Sequence, residues 1–93
     1  MKKIITNLDE LCEHSFTARI TLDSVKQESK KFDTYFDFLD YIYGIKSEIL
    51  TVLRVYCWDL KLISDSDYFS ISDEINDLFD RLISEYRKKH FED

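Results

Sequence analysis

Residues 45–63, IKSEILTVLRVYCWDLKLI, decide how the rest of this 93-residue chain is read. At 100° per residue, Ile45, Ile49, Val52, Leu53, Tyr56, Leu60 and Ile63 fall within one arc of about 100°. Leu50, Val55, Cys57 and Leu62 carry the apolar surface around most of the circumference. Ser47, Thr51, Arg54, Trp58 and Lys61 are left as a polar side. So broad an apolar surface predicts a central, buried helix over 45–63. Thr51 to Ile63 is also rich in β-branched and aromatic residues, as a buried strand would be, but the helical period persists for too long to be a strand.

Immediately upstream stands Gly44, the single glycine of the chain, where a left-handed cap would end a preceding helix. That helix is predicted to open at Ser24, with Gln27 completing a capping box. Val25, Phe32, Tyr35, Phe36, Leu39, Ile42 and Tyr43 recur along it at helical spacing. Asp33, Asp37 and Asp40 form a separate acidic stripe, and Phe38 and Tyr41 are predicted to point outward beside it. Further upstream, Asn7 and Glu10 suit a capping box for a short helix bearing Leu8, Leu11, Cys12 and Phe16. Between them, Phe16 to Leu22 alternates apolar and polar residues. It reads as a connection over 17–22, or as a short β element paired with 3–6 that would need a helix packed on it.

Downstream, 64–70 is polar and acidic and reads as a loop. Ser70 or Ser72 is then the cap of a last helix. Ile75, Leu78, Phe79, Leu82, Ile83, Tyr86 and His90 share its inner face. Acids fill its first half, and Arg87, Lys88 and Lys89 its end, each sign where the helix macrodipole favours it. The fold class predicted is all-α: one domain, 1–93, of about four helices around the 45–63 rod.

Composition agrees. Hydrophobic residues make up 44% and charged residues 34%, a globular balance, and the absence of proline argues against an all-β design. The net charge of −6 is unevenly placed. Between Lys61 and Arg81 lie Asp65, Asp67, Asp73, Glu74, Asp77 and Asp80, and no base. Such a surface repels phosphate backbones, so direct nucleic-acid binding is not expected; it attracts basic proteins and speeds their encounter. No apolar run approaches a membrane span, and MKKIITNLDELCEH lacks the apolar core of a signal peptide. Cys12 and Cys57 do not make a disulfide framework and read as buried thiols, which points to the cytoplasm.

Chemistry finds little support. The two histidines, His14 and His90, have no nucleophile elbow for a partner, and an enzyme is not expected. Cys12 and His14, two positions apart, would lie about 200° apart on a helix, so no metal site is expected. One glycine cannot build a phosphate loop, and no cofactor is implied.

What remains are two acidic surfaces with aromatic residues in them. Asp33, Asp37, Phe38, Asp40 and Tyr41 form the first. Asp65, Asp67, Tyr68, Asp73, Asp77 and Asp80, with Phe69 beside Tyr68, form the second. Aromatic anchors next to fixed charge are what a protein interface uses. Trp58, on the polar side of the central helix, is expected to be covered by residues 1–22. The function expected is therefore a small acidic inhibitor that binds a basic protein, such as an immunity protein covering a nuclease toxin or a phage antagonist of a host nuclease. The alternative is a helical adaptor that pairs with itself as a homodimer through Phe38, Tyr41 and Trp58.

Overall fold

The computed structural model describes residues 4–26 and 32–91 of the chain. Those residues form four α-helices and one π-helical turn, with no strand among them: α1 (Leu8–His14), α2 (Phe16–Lys26), α3 (Tyr35–Arg54), the π turn Val55–Asp59, and α4 (Asp65–His90). The protein is an all-α bundle.

The two long helices carry the architecture. Helix α3 takes its cap from Thr34, whose side chain accepts from the Asp37 N–H. Phe38, Ile42, Ile49 and Leu53 then recur along one face and are buried. Gly44 does not end the helix. It sits mid-helix with no positive φ and open space where a Cβ would be, so α3 runs straight through the predicted break. A glycine on the solvent side costs a helix only about 1 kcal/mol, which the burial on either side outweighs. The stretch 45–63 is thus the second half of α3, a wide turn and a chain reversal, not a helix of its own.

The wide turn has a packing reason. Cys57 is buried in line with Ile49 and Leu53, four positions apart each time. An α-helix would let that line drift off the core, and the broader π turn holds it in place. The Leu60 N–H closes the turn on the Val55 carbonyl, and the Leu62 N–H reaches the Tyr56 carbonyl. Lys61, at φ 59, then turns the chain back in the left-handed region.

Helix α4 begins six residues earlier than the predicted cap at Ser70. Ser64 caps it: its Oγ accepts from the Asp67 N–H at 3.2 Å and donates to Asp67 Oδ2 at 2.8 Å. Residues 64–70 are therefore not a loop, and Ser70 and Ser72 are helical. Ile71, Ile75 and Phe79 face α3. At the far end Phe38 stacks on Tyr86, with centroids 3.9 Å apart, and Phe32 meets both rings edge-on. Phe91 packs edge-on against Tyr35. These contacts join the start of α3 to the end of α4, so the two helices are antiparallel.

The N-terminal third departs furthest from expectation. Residues 17–22 are neither a connection nor a strand but part of α2. Ser15 caps it, its Oγ accepting from the Ala18 N–H at 3.1 Å. Ala18, Leu22 and Val25 are buried at spacing four and three, while Phe16 and Ile20 face solvent. The apparent alternation came from reading the outward pair as inward. Ser24 lies within α2 and caps nothing, and Gln27 is outside the described residues. The Asn7 cap of α1 holds: Asn7 Oδ1 accepts from the Glu10 N–H at 2.9 Å. Tyr56 donates its hydroxyl to the His14 carbonyl at 2.9 Å, and the N–H groups of Ile4 and Ile5 share the Leu62 carbonyl. Among the described residues, no buried side-chain polar atom lacks a hydrogen-bond partner.

Candidate protein-docking surface

Helix α4 presents its core face through Ile71, Ile75 and Phe79. At 100° per residue the opposite side holds Phe69, Asp73, Asp77 and Asp80 within an arc of about 80°. All four are exposed, Phe69 to 66%. The stripe is about 17 Å long at 1.5 Å per residue. Asp65 is also exposed and lies one turn before Phe69. No base falls between Lys61 and Arg81, and Arg81 itself borders the end of the stripe, lining one recess with Glu74 and Asp77.

Two of the six acids in that segment have structural partners instead. Asp67 is half-buried in the Ser64 cap. Glu74 turns toward α1, its Oε2 accepting from the Leu8 N–H at 2.8 Å. A carboxylate at that position meets the positive end of the α1 dipole.

The π turn and the first turn of α4 together build an aromatic step. Trp58 stacks on Tyr68 with centroids 5.4 Å apart and 24° between planes. Tyr68 meets Phe69 edge-on at 5.4 Å. Trp58 is 57% exposed, so it is not covered by residues of the N-terminal segment as expected. Tyr68 is half-buried between the two outer rings.

On α3 the rotational phase differs from the sequence reading. Phe38 is 3% exposed and belongs to the core, and Tyr41 is half-buried against Phe32. Neither points outward. Their neighbours do: Phe36, at 77% exposed, and Tyr43 share the solvent side with Asp37 and Asp40. Asp33, also exposed, lies just before the helix. The signal that places Phe38 inside is its spacing to Ile42, Ile49 and Leu53, visible only once Gly44 is read as helical. Phe36 and Tyr43 on α3 thus join Trp58 and Phe69 among the exposed rings.

Other chemistry is thin. Among the described residues no group of three or more His, Cys, Asp and Glu side chains could hold a metal ion. Cys57 is buried and Cys12 half-buried, both as thiols. His90 packs against Tyr86, with centroids 4.3 Å apart. No helix among the described residues is long and apolar enough to cross a membrane. Comparison with protein-family models, curated proteins and solved structures finds no match to this chain.

Proposed function

We propose that this protein is a small acidic inhibitor that docks a basic protein through the outer face of α4, in the manner of a cytoplasmic immunity protein against a nuclease toxin. The observation that carries the reading is the exposed, base-free stripe of Phe69, Asp73, Asp77 and Asp80. A nuclease groove is basic because it holds phosphates, and carboxylates one helical turn apart, about 6 Å, offer it a matching row of negative charge. Exposed rings at the end of the row supply the apolar anchoring that charge alone does not. Asp67 drops out of this surface because its carboxylate is held by the Ser64 cap, and Phe38 because it is core.

Co-expression tests the reading. A basic protein encoded beside this gene is expected to be toxic alone and tolerated when this chain is present. Reversing Asp73, Asp77 and Asp80 to Lys together is expected to abolish the protection while the far-UV circular dichroism stays unchanged. Protection that survives the triple reversal overturns the assignment, as does an adjacent locus encoding no basic protein.

Phe36 and Tyr43, exposed on α3, favour one second reading, a self-associating helical module. In that case sedimentation gives a concentration-dependent dimer that Phe36→Ser disperses and added salt does not weaken.

A further inference from the structure

A recess of about 160 Å³ opens where the end of α2 and the start of α3 meet the last turns of α4. Among the described residues, buried Val25, Phe38 and Ile42 form its floor, and half-buried Tyr41, Leu82 and Tyr86 its walls. Exposed Glu85, Lys89 and His90 stand at its mouth. Glu85 lies about 24 Å along α4 from Phe69, so the recess is apart from the acidic stripe.

The walls are set before anything enters. Tyr86 is stacked on Phe38 and packed against His90, and its hydroxyl accepts from the Phe32 N–H at 3.3 Å. Tyr41 is packed against Phe32 with centroids 5.2 Å apart. An occupant therefore has few side chains to order, which keeps the cost of binding low.

Size and polarity select the occupant. A cavity of roughly 150 Å³ holds one benzene ring, so this recess has room for a single six-membered ring and not for a fused pair. The rings of Phe38, Tyr41 and Tyr86 favour an aromatic occupant, which they can meet offset or edge-on. At the mouth, Glu85 and Lys89 are four positions apart on one face of α4. Arg87 and Lys88 project from the other side of the helix, about 130° from the middle of the lining arc. The carboxylate accepts, the ammonium donates, and their charges offset; the His90 imidazole can serve either role. Net charge thus favours neither an anion nor a cation. A neutral group that both donates and accepts is served by the pair, and on a single ring the smallest such group is a hydroxyl.

We propose that this recess binds a phenol, its ring on Phe38 and Ile42 between Tyr41 and Tyr86, its hydroxyl donating to Glu85 and accepting from Lys89. The site is independent of the acidic-face reading above. A free phenol and a tyrosine side chain of another protein present the same chemistry, and the test separates them.

The amide NMR spectrum is followed at neutral pH during titration with p-cresol, toluene, p-toluate, p-methylbenzylammonium and a blocked Gly-Tyr-Gly peptide. p-Cresol is expected to bind with a Kd of about 1 mM, shifting the amides of Ile42, Leu82 and Tyr86 and leaving those of Asp73 and Asp77 in place. Toluene and the two ions are expected to bind at least threefold more weakly. Glu85→Leu with Lys89→Leu, both at exposed positions, is expected to erase the preference for p-cresol over toluene. Leu82→Phe, which fills the recess, is expected to abolish the binding of both; if that variant does not fold, the exposed double variant decides. A peptide that binds at least as tightly as p-cresol assigns the site to a tyrosine of a partner, and a weaker one assigns it to a free phenol. Toluene or either ion binding as tightly as p-cresol overturns the proposal. So does a preference that survives the double variant, binding that survives in a folded Leu82→Phe protein, or no shift of the lining amides at about 10 mM p-cresol.

Discussion

The backbone N–H of Leu8 donates to Oε2 of Glu74 at 2.8 Å across 66 positions of sequence. The bond supplies α1 with an anionic partner at its N-terminus, in addition to the Asn7 cap. It also fixes α1 to the middle of α4, so one acid of a charged face serves the fold.

Glu74→Ala is accordingly expected to lower stability by about 1 kcal/mol, the usual cost of losing a helix N-terminal acceptor. Asp77→Ala, three positions on and exposed, with no hydrogen bond to α1, is expected to change it by less than about 0.5 kcal/mol. Urea midpoints at constant m value separate the two.

The phase of α3 is tested by a pair of phenylalanines. Phe38→Ala removes a core ring stacked on Tyr86 and is expected to cost about 3–5 kcal/mol, a large part of what a domain this size holds. Phe36→Ala, two residues earlier, is expected to stay within about 0.5 kcal/mol. Equal losses at both positions would rotate the helix away from the geometry described.

Two serines test where α4 begins. Ser64→Ala removes the acceptor for the Asp67 N–H and is expected to cost about 1 kcal/mol. Ser70→Ala, on an exposed helical position, is expected to be neutral or slightly stabilising, since alanine is the better helix former. Chemical denaturation of both variants is the measurement.

Gly44 offers the opposite sign. With nothing within 4 Å of a Cβ built there, Gly44→Ala is expected to raise stability by about 0.5–1 kcal/mol. A loss instead would mean the glycine ends a helix, as its place in the sequence first suggests.

Much of this fold is legible in the residues, and the failures share one cause. The inner face of α4 from Ile75 to Tyr86 and the Asn7 cap follow from spacing and cap chemistry that depend on near neighbours alone, whereas His90 is exposed and Ile71, ahead of the predicted face, is buried. Gly44 and Ser70 mislead because local propensity is weak: each is a plausible boundary, and tertiary burial of Ile42, Ile49, Ile71 and Ile75 overrides it. Once α3 is cut at Gly44, the phase of its first half is lost, and Phe38 and Tyr41 exchange places with Phe36 and Tyr43. Residues 17–22 fail for a related reason, because a short amphipathic stretch with Phe16 and Ile20 outward satisfies both periods. For the candidate surface, Asp73, Asp77 and Asp80 are read correctly as exposed from their offset to the α4 core. The tie of Glu74 to Leu8 has no signature in sequence, and neither does the stack of Trp58 on Tyr68.

The hydrogen bond from Leu60 to Val55 encloses one amino acid more than an ordinary coil of α-helix would. A shorter version of the chain, lacking one residue of Val55–Asp59, can close the same ladder at the usual interval and let the reversal at Lys61 take up the difference. This juncture is thus where length can vary by a single unit while Leu53 and Ile63 stay seated, and each such change would alter what is displayed next to Tyr68.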